Sequence, residues 1–329
     1  MMEVSALHGN TGEVDDEGSV DAAYIALLVR SAQKQLSDAG IEHADHEALM
    51  LLAAAASVSL SDVRRWLALG VPEACDIDEV RARFADFCTR RASREPLQYI
   101  VGSVGFRFLE LSVEPGVFIP RPETETVVQA GIDWLNAAGL KEPLVVDLCA
   151  GTGAVGLSVA SEIRGAHVTS VEIDSQAFRW LTRNATSVKS QYPKMTFTPL
   201  LADATADETL QELNGRVDCI ISNPPYVPES EPTTQPEVDR DPDRALYGGS
   251  ADGMRIPELV IERAARLLRP GGYFVMEHDI SQGAAVRASL VQEGFHAVET
   301  QPDLTGRPRF SVGTAGGAIM SGEQAEGRN

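Results

Sequence analysis

Leu144-Val145-Val146-Asp147-Leu148-Cys149-Ala150-Gly151-Thr152-Gly153-Ala154-Val155-Gly156 is the stretch from which the fold can be read. Leu144-Val145-Val146-Asp147 is a short apolar run ending in an acid, the pattern of a strand buried on both faces. The glycines after it suit a tight turn, and residues 157–163 continue with helical spacing. A buried strand, a glycine turn and a helix in that order open a nucleotide-binding α/β unit. Gly151, Gly153 and Gly156 satisfy the dinucleotide fingerprint, a weak signal alone, because the same turn can serve only to pack a helix on a strand.

Asp147 narrows the ligand. A carboxylate just before the glycine turn opposes a pyrophosphate, whereas S-adenosylmethionine has no phosphate and carries an ammonium and a sulfonium. The next strand, residues 167–171, leads to Glu172, nineteen residues after Gly153, where such units hold a ribose hydroxyl pair. Residues 196–200 are strand-like and lead to Asp203, placed to accept from an adenine amino group, with Ala204 beside it. Singly, each acid reads as a solvated loop carboxylate. Their order along successive strand ends gives them a role. A helix reaching Arg269 and stopped by Pro270-Gly271-Gly272, then strands at 273–277, 295–300 and 309–313, complete the expected α/β fold. For a chain that binds S-adenosylmethionine the expected fold is a Rossmann-like seven-stranded sheet of the class I S-adenosylmethionine-dependent methyltransferase kind, with a helical bundle before it.

The acceptor is read from Asn223-Pro224-Pro225-Tyr226, which follows the apolar run Val217-Asp218-Cys219-Ile220-Ile221-Ser222. Two ring-locked residues at the carboxyl end of a strand make a rigid polar pocket where open α/β sheets bind ligands. The Asn223 side-chain oxygen and the Pro224 carbonyl each accept one N–H of a planar NH2 group, with Tyr226 flanking it. The delocalised nitrogen lone pair is thereby aimed at an electrophile. A proline-rich turn that merely closes a strand is the bland alternative.

These segments resemble the glutamine-N5 methyltransferases of peptide chain release factors, the HemK/PrmC family, over about residues 94–313. The resemblance rests on Pro96-Leu97-Gln98-Tyr99-Ile100 with Gly102 and Phe106, on Gly116-Val117-Phe118-Ile119-Pro120-Arg121-Pro122-Glu123-Thr124-Glu125, on residues 147–153 and 223–226, and on Leu246-Tyr247-Gly248-Gly249 through Asp252-Gly253. The Ile-Pro-Arg-Pro-Glu-Thr-Glu segment is the specific one, since many amino-methylating enzymes share the Asn-Pro-Pro-Tyr pocket. The resemblance implies that Cys149, Ala150, Gly151, Thr152, Gly153 and Glu172 contact S-adenosylmethionine, and that Asp203 and Ala204 line the adenine site. It implies that Asn223, Pro224, Pro225 and Tyr226 receive the glutamine of a Gly-Gly-Gln motif, with an aromatic at Phe106 near the cofactor. Ala150 stands where threonine is frequent and Glu172 where aspartate is common, departures that bear on affinity.

Arg121, between two prolines, either pairs with an acid near the site and pins the substrate, or belongs to a helix start with Pro122 in the first turn and Glu123 and Glu125 favouring the dipole. Glu277-His278 reads as strand-end packing, because this methyl transfer needs no base before attack. The acidic segment 227–256, long for an irregular loop, reads as a lid or rim.

The 329 residues suggest two domains, and 43% hydrophobic content is ordinary for a globular chain. Apolar periodicity at Ile25, Val29, Ala32 and Leu36, at Ala48, Leu49, Leu52 and Ala55, and at Val80, Phe84, Phe87 and Cys88 gives a small helical bundle, with helix starts at Ser59/Asp62 and Asp76/Glu79. The expected organisation is a tail at 1–19, a substrate-recognising helical domain at 20–95, a hairpin connector at 96–116 in which Phe106 and Phe108 offer apolar contact, a methyltransferase domain at 117–313 and a tail at 314–329. Net charge −20 and the absence of a basic stripe argue against direct nucleic-acid binding and for a basic protein partner. The densest basic patch, residues 89–94, reads as a solvated helix end. No run reaches a membrane span, the start is not a secretory signal, and the four cysteines lack metal spacing, so free thiols in the cytoplasm and no metal are expected. The rival readings are an amino-methyltransferase of DNA or RNA, which meets the same NH2 group, and a nicotinamide-dependent oxidoreductase.

Overall fold

The computed structural model describes residues 22–72, 75–230 and 236–316. The chain divides into two compact units, one ending at Gly102 and the other beginning at Ser103.

The first unit is helical: α1 (Ala22–Asp38), α2 (Ala44–Ala56), α3 (Leu60–Leu69), α4 (Ile77–Ala92) and the short α5 (Leu97–Val101). The periodic faces meet in one core, where Ile25, Val29, Ala32 and Leu36 pack with Ala48, Leu52, Ala55, Val80, Phe84 and Cys88. Leu49 and Phe87 lie at its edge. Both helix-start signals operate: Ser59 and Asp62 form a reciprocal capping box, and the Asp76 carboxylate accepts from the Glu79 amide at 3.1 Å. The end of α4 is not the solvated patch expected. Arg91 is buried against Glu47 (Nε to Oε2, 2.6 Å), and Arg90 forks onto Glu95 at 2.9 and 2.6 Å.

The second unit opens with an antiparallel hairpin, β1 (Ser103–Phe106) and β2 (Leu109–Ser112), then α6 (Thr124–Ala138). Next come β3 (Leu144–Leu148), α7 (Ala154–Glu162), β4 (His167–Glu172), α8 (Ser175–Gln191), β5 (Thr196–Leu201) and β6 (Val217–Ser222). The chain continues through α9 (Asp243–Leu246), α10 (Arg255–Leu267), β7 (Leu268–Glu277), α11 (Gly283–Gln292), β8 (Phe295–Pro302) and β9 (Pro308–Ala315). One seven-stranded sheet has the order β5-β4-β3-β6-β7-β9-β8; β3 to β7 pair in parallel and β9 runs antiparallel between β7 and β8.

Alternate residues of the strands serve two cores, as the side-chain period of two requires. Val145, Ile221 and Val275 pack with α6, α7 and α8; Val146, Ile220 and Phe274 pack with α10 and α11. The structure differs from the sequence expectation at two places. α10 stops at Leu267, and Pro270-Gly271-Gly272 lies within β7, where the register with β6 shifts between Val217 and Cys219. The glycine-proline run thus makes a bulge rather than a helix stop. β9 extends to Ala315 because Thr314 pairs with Tyr273 and Ala315 with Phe295, so the tail expected from Thr314 starts in a strand. The expected tail at 1–19 lies outside the described residues.

In the hairpin Phe106 is buried in the core under the sheet, whereas Phe108 is 74% exposed and makes no apolar core contact. Arg107, at left-handed φ 51° in the turn, fastens the hairpin instead. Its guanidinium forks onto Glu162 at 2.7 Å twice and donates to the Glu125 carbonyl at 3.2 Å, joining the turn to α7 and α6. The four cysteines are free thiols. Among the described residues no single helix is long and apolar enough to cross a membrane.

Candidate active site

Strand order reverses at β3, with β4 and β5 to one side and β6 and β7 to the other, so the switch point lies between β3 and β6. Leu148 and Ser222 are register partners there, and the Ser222 hydroxyl donates to the Leu148 carbonyl at 2.7 Å. Beyond this pair the two chains part, one into the glycine turn and the other into Asn223-Pro224-Pro225-Tyr226. Both line one cavity of about 730 Å³.

At the β3 end, acids hold the turn by its backbone. Gly151 and Gly153 adopt φ 56° and 84°, and Cys149 has φ 67°. A Cβ on Gly153 would lie 2.4 Å from Leu181 Cδ1, and one on Gly156 would lie 2.0 Å from Ser170 Oγ. Glu172, on the cavity wall, accepts from the Gly151 amide through Oε2 and the Asp174 amide through Oε1, both at 2.7 Å. Burial pushes its pKa up against those two bonds. Asn184 of α8 donates to the Thr152 and Ser112 carbonyls at 3.1 Å each, tying the turn to the hairpin.

Asp147 is placed differently from the expectation. It is 1% exposed and not part of the cavity lining; Oδ2 accepts from the Gly156 amide at 3.0 Å and the Ser170 hydroxyl at 2.9 Å. A helix start leaves amides without partners, and Asp147 supplies one to the first turn of α7, where a negative charge also suits the dipole. It shapes the turn rather than facing a ligand. Burial raises its pKa to about 7. Gly153 also lies outside the lining.

Cys149, Ala150, Gly151, Thr152, Glu172, Asp203 and Ala204 all line the cavity. Asp203 is braced through Oδ1 by the Thr205 amide at 2.8 Å and hydroxyl at 2.7 Å. Burial pushes the Cys149 thiol far up, which keeps it a neutral lining group. This end fits S-adenosylmethionine. Space for a Cβ on Gly151 is open, Glu172, Asp174 and Asp203 bring carboxylates to the lining, which suits a cationic ligand, and Ile173, 47% exposed, offers an apolar edge.

At the β6 end Asn223, Pro224, Pro225 and Tyr226 all line the cavity. The Asn223 Nδ2 donates to Thr124 Oγ1 at 3.2 Å, Thr124 donates to Glu277 Oε2 at 2.7 Å, and the Tyr226 hydroxyl donates to Glu277 Oε1 at 3.0 Å. Gln282 fixes the backbone, donating to the Tyr226 carbonyl at 2.8 Å. Glu277 is 1% exposed; burial raises its pKa, and hydrogen bonds from Thr124 and Tyr226 and the charge of Arg309 pull the other way. Burial and the Glu277 carboxylate push the Tyr226 hydroxyl well above its usual range. Glu277 is therefore more than strand-end packing. His278 is the packing residue, bonded to Ser311 Oγ at 2.9 Å and to the Asp279 carbonyl at 2.7 Å.

The segment after Tyr226 is less irregular than its length suggested. Val227 bridges to Tyr247, the Val227 amide donates to the Leu246 carbonyl at 2.8 Å, and α9 follows Pro242; residues 242–247 line the cavity. Residues 231–235 of the segment lie outside the described residues. Arg121 does not line the cavity: its guanidinium pairs with the buried carboxylate of Asp241 and lies 5.2 Å over the ring of Phe118, which does. The sequence reading missed Phe118, Thr124, Ile173 and Asp174. Phe118 and Thr124 stood in a quoted segment but were given no role of their own, and Ile173 was hidden by the acid before it. Phe106, expected near the cofactor, is a core residue.

The glycine turn after β3 and the Asn223–Tyr226 run after β6 line one cavity, and the fold is that of the class I S-adenosylmethionine-dependent methyltransferases. Comparison with known proteins narrows this. The family described as PrmC N-terminal domain matches residues 28–102, and one described as conserved hypothetical protein 95 matches residues 99–238. The chain is 52% identical to the release factor glutamine methyltransferase of Bifidobacterium longum over 87% of this chain and 98% of that one. It is 40% identical to the Streptomyces coelicolor protein of the same name, over 86% and 95%. A third relative, at 35% over 81% and 87%, is a 4-amino-L-phenylalanine/4-methylamino-L-phenylalanine methyltransferase of Streptomyces pristinaespiralis. The chain belongs to the release factor glutamine methyltransferase family.

Proposed function

We propose that this enzyme methylates the side-chain nitrogen of the glutamine in the Gly-Gly-Gln motif of peptide chain release factors, in the cytoplasm. The observation that carries the reading is that Asn223 and Pro224 share one cavity with the glycine turn and Glu172. When bound, S-adenosylmethionine supplies a methyl electrophile, and displacement by the amide nitrogen forms the N–C bond as the S–C bond breaks. Glu172 would hold its ribose, Asp203 and Ala204 would border its adenine, and Cys149, Ala150, Gly151 and Thr152 would present the turn to it. Asn223 Oδ1 and the Pro224 carbonyl accept the two N–H bonds of the amide and direct its lone pair. Tyr226 and Pro225 wall the planar group. No base is needed before attack, because the nitrogen becomes acidic only once alkylated and its proton then passes to water. Arg121, tied to Asp241, steadies the rim the substrate crosses.

A relative named a 4-amino-L-phenylalanine/4-methylamino-L-phenylalanine methyltransferase points to a different amine as a second acceptor class, and nucleic-acid bases present another. Net charge −20 favours a basic protein over a polyanion. Methyl transfer from labelled cofactor to purified release factor, with mass mapping and DNA and RNA in parallel, tests the reading. One methyl on the Gly-Gly-Gln glutamine is expected; label on nucleic acid alone overturns it.

A further inference from the structure

We propose that Thr124 and Glu277 are positioning residues that set the polarity of the acceptor pocket, through a one-way relay of hydrogen bonds ending on Asn223. The inference rests on the glutamine-amide reading above. A primary carboxamide has an acceptor end and a donor end of nearly equal shape, so packing alone does not decide which end of Asn223 faces the cavity. If the NH2 end faced a substrate amide, donor would meet donor and the lone pair would lose its orientation.

The structure decides the matter from behind. The relay takes Glu277 in its ionised form, which the two hydroxyls that reach it and the charge of Arg309 favour against the burial that raises its pKa; in that form it has no proton to give. Both hydroxyls that reach it must donate, Thr124 to Oε2 at 2.7 Å and Tyr226 to Oε1 at 3.0 Å. With its only proton so committed, Thr124 Oγ1 can only accept, and the group it accepts from is Asn223 Nδ2 at 3.2 Å. A flipped Asn223 would set Oδ1 against that oxygen, two acceptors with no proton between them. Thr124 and Glu277 are 3% and 1% exposed, so water does not freely replace either partner. Oδ1 is left for the substrate. The same carboxylate fixes the Tyr226 hydroxyl, so one buried charge orients both walls of the pocket.

The test is steady-state methylation of release factor by Thr124→Val, Thr124→Ser and Glu277→Gln beside the wild type, with cofactor affinity measured separately by calorimetry. Valine keeps the shape of threonine and removes the hydroxyl. Glutamine keeps the shape of glutamate and turns one acceptor into a donor. T124V and E277Q are expected to lower kcat by about 10- to 100-fold, the usual cost of removing a group that orients a contact residue, with cofactor Kd within about threefold of wild type. T124S, which keeps the hydroxyl, is expected to recover kcat to within about threefold. Wild-type kcat in T124V, or loss in T124S equal to that in T124V, overturns the relay. Because the wild type methylates glutamine or fails to in the same assay, the function reading stands or falls apart from these ratios.

Discussion

The two ends of the cavity solve the same problem, holding a ligand in place, by opposite means. At the cofactor end acids close to the turn grip backbone amides: Asp147 reaches Gly156 nine residues on, and Gly151 reaches Glu172 twenty-one residues on. At the acceptor end side chains grip side chains across the fold, Asn223 to Thr124 over 99 residues and Thr124 to Glu277 over 153. The glycine turn is thus held by residues from neighbouring parallel strands and their helix starts, whereas the Asn223 end is held by side chains from elements far apart in the chain. A variant should therefore injure one end and spare the other.

The largest separation is expected for Asn223→Ala. Losing one oriented acceptor at the reacting group should lower kcat by about 10²–10³-fold, while cofactor Kd measured by calorimetry stays within about threefold. Loss of cofactor binding in step with turnover would show that the two ends are one site. Gly156→Ala should do the reverse. Its Cβ would sit 2.0 Å from Ser170 Oγ and 2.9 Å from Asp147 Oδ2, so the turn must deform; about 3 kcal/mol of stability by chemical denaturation and a weakened cofactor Kd are expected.

The smallest effect is a pH dependence confined to the cofactor end. Asp147 has a folded pKa raised to about 7, above its unfolded value, so its contribution to stability is present at low pH and lost as pH rises through the folded value. Relative to Asp147→Asn, the wild type without cofactor should lose on the order of 2 kcal/mol between pH 5 and 8. A stability difference between the two proteins that is flat over that range would mean Asp147 is charged throughout.

The same contrast explains what was legible in the sequence. The glycine turn, Glu172, Asp203 and the Asn-Pro-Pro-Tyr run were readable because each is a contiguous motif at a strand end, and strand ends follow from apolar runs. Asp147 was found but given the wrong partner: its type and position are visible in the chain, while the layer into which its carboxylate points is a tertiary fact. Thr124 and Glu277 carried no local signal. A threonine between two glutamates passes as part of a helix start, where it also lies, and the glutamate closing a strand was read as strand-end packing. Only the sheet order, which sets β7 beside β6, brings Glu277 behind the pocket. Arg107, a hairpin-turn arginine, was likewise silent until α6 and α7 were seen to meet it.

The 153-residue span between Thr124 and Glu277 also bears on how the chain folds. Closing a loop of that span costs about 2.5 kcal/mol more chain entropy than closing the nine-residue span from Asp147 to Gly156, so during refolding the turn should mature before the relay. A refolding chain should bind the nucleoside before it can transfer a methyl group. Recovery of cofactor binding ahead of activity after dilution from denaturant would reveal that interval, and simultaneous recovery would mean the unit condenses in a single step.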